Sequence, residues 1–201
     1  MKTLSRKLVA ATAAAAAVFL SACSAEPHTI VYHADYPSYQ TADQLYQKAT
    51  LVIEARLGST AQVVQEKANP AAQGTDEKSN PQAGVPQGQA APPEQQPVVT
   101  TVYPVEVVKV FKGSAKPGEN IQVKELGGTV NGVTYKEPGS RPLEKGKTYV
   151  LFLETYPDSP ASLLNPEQGK YPIDAAGNLA PLAENPVKLT RPDLDNLSAN
   201  D

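Results

Sequence analysis

The clearest order along the chain is a change in the period of its apolar positions. Thr41-Ala42-Asp43-Gln44 has the spacing of a capping box and predicts a short helix through Lys48, burying Leu45 and Ala49, with Tyr46 a further candidate. From Thr50 the period drops to two. Ile53, Ala55 and Leu57 point one way, Glu54 and Arg56 the other, as in a half-buried strand. Past Gly58 this strand is expected to bend and run on to Val63-Val64. Val98 to Phe111 is the strongest strand pattern. Tyr103, Val105 and Val107 alternate with Pro104, Glu106 and Val108 before the phase slips at Val110-Phe111, which predicts a bulge near Val107-Val108. Pro104 has no N–H to give a ladder, so the strand is expected to have an open side there or to lie at an edge.

Five more signals complete the pattern. Ile121 to Leu126 reads as a strand, and Val130-Asn131-Gly132-Val133 as a type I′ hairpin. Thr148 to Glu154 is apolar on both faces, with Tyr149, Leu151 and Leu153 opposite Val150 and Phe152, which predicts a central strand covered on both sides. Tyr171-Pro172-Ile173 and Asn178-Leu179-Ala180 flank Asp174 to Gly177 as a weaker hairpin. Thr190-Arg191-Pro192-Asp193 then opens a last short helix carrying Leu194 and Leu197. Between Gln65 and Gln96 the composition shifts to Pro, Gln, Ala, Gly and charge, too poor in apolar residues to offset its ordering entropy. The helix and strand upstream cannot form a domain alone, so 65–96 reads as a disordered insertion joining two strands. Closing such a long loop costs little more than closing a moderate one.

The N-terminal segment is different in kind. Lys2, Arg6 and Lys7 precede an apolar run from Leu8 to Leu20 interrupted only by Thr12, followed by Ser21 and Ala22. This is the shape of a secretory signal, too short to span a bilayer as a mature helix. Leu20-Ser21-Ala22-Cys23 resembles the bacterial lipobox. That resemblance implies a diacylglycerol on the Cys23 thiol, cleavage before Cys23, and an amine open to a further acyl chain. Two or more chains give stable anchoring, since each buried CH₂ contributes about 0.8 kcal/mol. Cys23 is the only cysteine, so no disulfide can staple the fold.

The expected organisation is a signal peptide over 1–22 and a membrane tether over 23–40. A β-barrel domain follows over 41–190, including the insertion 65–96, and a C-terminal helix and tail occupy 191–201. The expected location is extracytoplasmic, lipid-anchored to a bacterial membrane. In the tether, His28, His33 and Asp35 match no zinc spacing and read as a solvated stalk. Tyr32, Tyr36 and Tyr39 either rest among lipid headgroups or fold back on the domain.

The order of motifs beyond the tether resembles a group of small exported bacterial proteins of uncharacterised function. The matching stretches are Ala49 to Leu57, Val105 to Gly113, Gly146-x-x-Tyr149-x-x-Phe152-Leu153 and Gln168-Gly169-Lys170-Tyr171. The first three are also distantly similar to the OB-like barrel of netrin and metalloprotease-inhibitor modules. What these resemblances imply is a mainly β fold built as a small antiparallel OB-like barrel or sandwich with short flanking helices. They imply no activity, because the inhibitor modules are rich in disulfides and this chain has none.

Charge and motifs narrow the chemistry. Removing the three basic residues ahead of Cys23 takes the formal charge from −3 to −6, which favours solubility and gives nucleic acid no basic patch. No G-x-S-x-G elbow, P-loop or G-x-G-x-x-G is present. Glu106, Glu125, Glu154 and Asp174 lie on strand patterns, mostly at positions read as solvent-facing. Asn165, Gln168, Gly169, Lys170 and Tyr171 form a candidate ligand loop, weighed against a plain polar turn. No catalytic residue, metal ligand or cofactor is assigned. The expected function is a non-enzymatic binding module whose partners are the membrane and an envelope protein or wall polymer. A hydrolase inhibitor or sensor is the alternative, and a metal-dependent enzyme the more distant one.

Overall fold

The computed structural model describes residues 28–66 and 97–200. The lipobox and the bulk of the insertion, 67–96, lie outside the described residues. Within them the fold is mainly β, ten strands and two short helices. These are β1 (His28–Val31), α1 (Ala42–Lys48), β2 (Leu51–Leu57), β3 (Gln62–Glu66), β4 (Val98–Lys112) and β5 (Asn120–Leu126). After them come β6 (Gly128–Val130), β7 (Val133–Lys136), β8 (Thr148–Tyr156), β9 (Ser159–Leu163), β10 (Lys170–Pro172) and α2 (Arg191–Ala199).

Strand pairing follows the period-two pattern closely. β2 lies antiparallel between β4 and β8, β4 pairs β5, and β5 runs parallel to β9. β9 also pairs β8, so the pairings lead from β2 through β4, β5, β9 and β8 back to β2. One face of these strands carries a cluster that includes Ile53, Ala55, Leu57, Val105, Val107, Val123, Tyr149, Leu151 and Leu153. The opposite face of β2 and β8 carries Val52, Val150 and Phe152, covered by Leu45 and Tyr46 of α1, Leu194 of α2, and Tyr171. The central strand read from Thr148 to Glu154 therefore divides two cores.

Several local details have simple causes. Register shifts skip Val108 and Phe111, two bulges in β4, the first of them at the expected place. Pro104 faces β5 on one side. On the other, β2 ends opposite Val105 and β3 begins opposite Val102, so the missing N–H falls in a gap. β3 is thus not a continuation of β2 past Gly58 but a separate strand on β4, and Gln65 and Glu66 belong to it rather than to the insertion. Asn131 and Gly132 have φ of 50° and 79°, the paired positive values of a type I′ turn. Thr41 caps α1 by accepting from Gln44 N, whereas the Gln44 side chain accepts from Gln40 N instead of closing the box on Thr41. Thr190 and Asp193 do form the reciprocal box at α2.

The segment read as a stalk is built into the domain from His28 onward. β1 pairs parallel with β7, from His28 opposite Val133 to Val31 opposite Lys136. Tyr32 stacks on Tyr135 at 5.6 Å, donates its hydroxyl to Pro97 O at 2.6 Å and accepts from Val99 N at 2.9 Å. Tyr39 is buried. These tyrosines fold back on the domain.

Candidate functional site

Alternation along β5 puts Ile121, Val123 and Glu125 on one face. Ile121 and Val123 pack in the first core, so the carboxylate of Glu125 points the same way and is buried, 7% exposed. This corrects its reading as solvent-facing. Lys170 stands opposite Leu151 in the β10–β8 pair, which aims it at the same core, while Tyr171 opposite Val150 enters the other. Lys170 is 2% exposed. Its ammonium donates to Glu125 Oε1 and to the carbonyl of Arg141. A charge so deep is tolerable only when paired and hydrogen-bonded.

The second carboxylate oxygen, Glu125 Oε2, is buried without a close, well-aligned hydrogen bond among the described residues. The Tyr103 hydroxyl stands beside this carboxylate. Burial, then the charge of Glu125 and a hydrogen bond to its carboxylate, push the Tyr103 pKa well above the ordinary tyrosine value. Over the pair lies a pocket of about 180 Å³ with Leu126, Leu163 and Pro166 as apolar wall and Tyr36, Glu125 and Glu137 among its polar lining. Tyr36 is pushed up to about 12 by burial, then by the charges of Glu137 and Glu125. Glu125 and Glu137 bring negative charge to the pocket, the first of them paired with Lys170. Lys124, also at the pocket, is held by Ser159 Oγ at 2.9 Å and lies over the Tyr156 ring. A wider hollow of about 410 Å³, lined in part by Leu51, Ile121, Tyr156 and Asp158, is shallow, and neither residue of the buried pair reaches it.

The loop singled out in the sequence turns inward. Asn165 Oδ1 accepts from Glu167 N and Gln168 N, and its amide donates to Pro37 O at 3.1 Å. Gln168 bonds both backbone groups of Tyr39, at 2.9 Å each. Tyr171 donates to Val187 O at 3.0 Å. Gly169 admits the chain, not a ligand: a Cβ there would sit 2.6 Å from Asn165 O, the acceptor of Gly169 N. The loop is a clamp on residues 37–39, and of its five residues only Lys170 reaches the pocket's buried pair.

The other assigned positions are spread out. His28 lies in β1, and no group of three His, Cys, Asp or Glu able to hold a metal occurs among the described residues. Cys23, Leu20, Ser21 and Ala22 lie outside those residues. Glu106 pairs with Arg56 at 2.9 Å on the surface, and Asp174 caps its own turn through Ala176 N and Asn178 N.

Compared with known proteins, the chain matches no protein-family model, and no curated protein matches it significantly.

Proposed function

We propose that the protein is a lipid-anchored binding module of the bacterial envelope, with an OB-like barrel formed by the ring β2-β4-β5-β9-β8. The antiparallel ladders and the single parallel step, β5 to β9, support the barrel reading. The lipobox at Leu20 to Cys23 supports the anchor and the extracytoplasmic location. On this reading palmitate labels the wild-type protein in cells and leaves Cys23→Ser unlabelled. Equal labelling of the two would sink the anchor.

What supports the binding half is a small, partly apolar pocket with the carboxylates of Glu125 and Glu137 in its lining. Lys170 is committed to Glu125 and Arg141 O, so the site holds a ligand rather than moving a proton. Its complement is a primary ammonium on a short aliphatic stem, the stem against Leu126, Leu163 and Pro166 and the charge toward Glu125 and Glu137. A charge-assisted hydrogen bond contributes about 1.5–3 kcal/mol, so losing one weakens binding roughly 10- to 100-fold. In an amide NMR titration n-butylamine should shift resonances around Leu126, Glu137 and Leu163. Glu137→Gln should weaken that response, and n-butanol should produce none. An equal response to the alcohol, or none to the amine, discards the ammonium site.

A further inference from the structure

We infer that the end of the domain formed by the β6–β7 hairpin rests against the lipid headgroups. This deepens the anchored reading and rests on it. The argument is one of chain length. The chain is part of the domain from His28, held by the four-residue pairing of β1 with β7, by Tyr32 N on Lys136 O at 2.7 Å, and by both hydrogen bonds of the Tyr32 hydroxyl. Further along, Asn165 and Gln168 clamp residues 37–39. Nothing from His28 onward is left to pay out as slack.

Between Cys23 and His28 there are five peptide steps, which even fully extended reach at most about 18 Å. A lipid on Cys23 holds that residue in the headgroup layer, itself only about 5–8 Å thick per leaflet. Because β1 and β7 are parallel, the start of β1 lies beside the start of β7. His28 stands opposite Val133, the residue that follows the Asn131-Gly132 turn. The hairpin tip is therefore the part of the described fold most tightly bound to the membrane plane. The β4–β5 turn around Lys116 is remote. It is level with Val107, eight residues along β4 from the Val99 attachment of Tyr32, or about 26 Å at strand rise.

The test uses the full lipidated protein in phosphatidylcholine–phosphatidylglycerol vesicles with an energy acceptor on the lipid headgroups. A donor dye is placed through Thr129→Cys, on exposed β6, or through Lys116→Cys. The mass of the N-terminal peptide is recorded for the same samples. The inference expects an acylated Cys23 and a transfer efficiency about twofold or more higher at 129 than at 116. Acylated protein with equal transfer, or with more transfer at 116, overturns the orientation and leaves the anchor standing. An unacylated Cys23 overturns both.

Discussion

Replacing Lys170 by Met is expected to cost about 3–5 kcal/mol of folding free energy, because it strands a buried carboxylate. Glu125 is 7% exposed and Lys170 2%, so water cannot take over the lost partner. The carbonyl of Arg141 loses its ammonium donor in the same step. Against a total stability of about 5–15 kcal/mol for a domain, such a loss is a fifth or more. Glu125→Leu combined with Lys170→Met removes both charges at once, and the pair should return to within about 2 kcal/mol of wild type. Urea denaturation of the single and double variants measures this directly. A single variant losing under about 1 kcal/mol would mean that the carboxylate is solvated rather than buried.

That pair also marks how far the sequence could be read. Alternation gave the strand faces correctly wherever both neighbours were apolar, as at Tyr149, Leu151 and Leu153 against Val150 and Phe152. The same rule places Glu125 inside, in phase with Ile121 and Val123, against the ordinary preference of a carboxylate for solvent. Lys170 carries no such signal, since its direction is set by β10 pairing with β8 across a long separation in sequence. β9 was invisible for a different reason. Its Ser-Pro-Ala-Ser-Leu has little β propensity and is a strand because β5 and β8 flank it. β1 is four residues that gain their order from β7 and Tyr135.

The candidate ligand loop failed to separate two meanings of the same composition. Asn, Gln and Gly together suit a ligand, and they suit equally a turn that satisfies its own backbone. Gln168 takes the second role because the backbone groups of Tyr39 are buried and need partners, and Asn165 holds the exposed carbonyl of Pro37 beside them. That fastening is what converts an expected stalk into part of the domain and leaves the anchor so little reach.

Alkali should unfold the protein through its buried tyrosines. Tyr171 is fully buried, and burial raises its pKa to about 12; Tyr103 is raised further, by burial and by Glu125. In the unfolded chain both ionise near the ordinary value of about 10. Above that pH the unfolded state has shed these two protons and that of Tyr36, likewise raised to about 12, all of which the folded state keeps, so stability falls as pH rises. Each group contributes about 1.4 kcal/mol per pH unit inside the window from pH 10 to its folded pKa, and nothing below about pH 9. Between pH 8 and 11 the three together should remove about 4 kcal/mol. Tyr171→Phe should cut that decline by about a third, while lowering stability by about 1 kcal/mol below about pH 9 through loss of the hydrogen bond to Val187 O. Urea melts at pH 8, 9, 10 and 11 give both slopes. Equal stability of the wild type at pH 8 and 11 would contradict the burial of both hydroxyls, and an unchanged slope in Tyr171→Phe would contradict the share assigned to Tyr171.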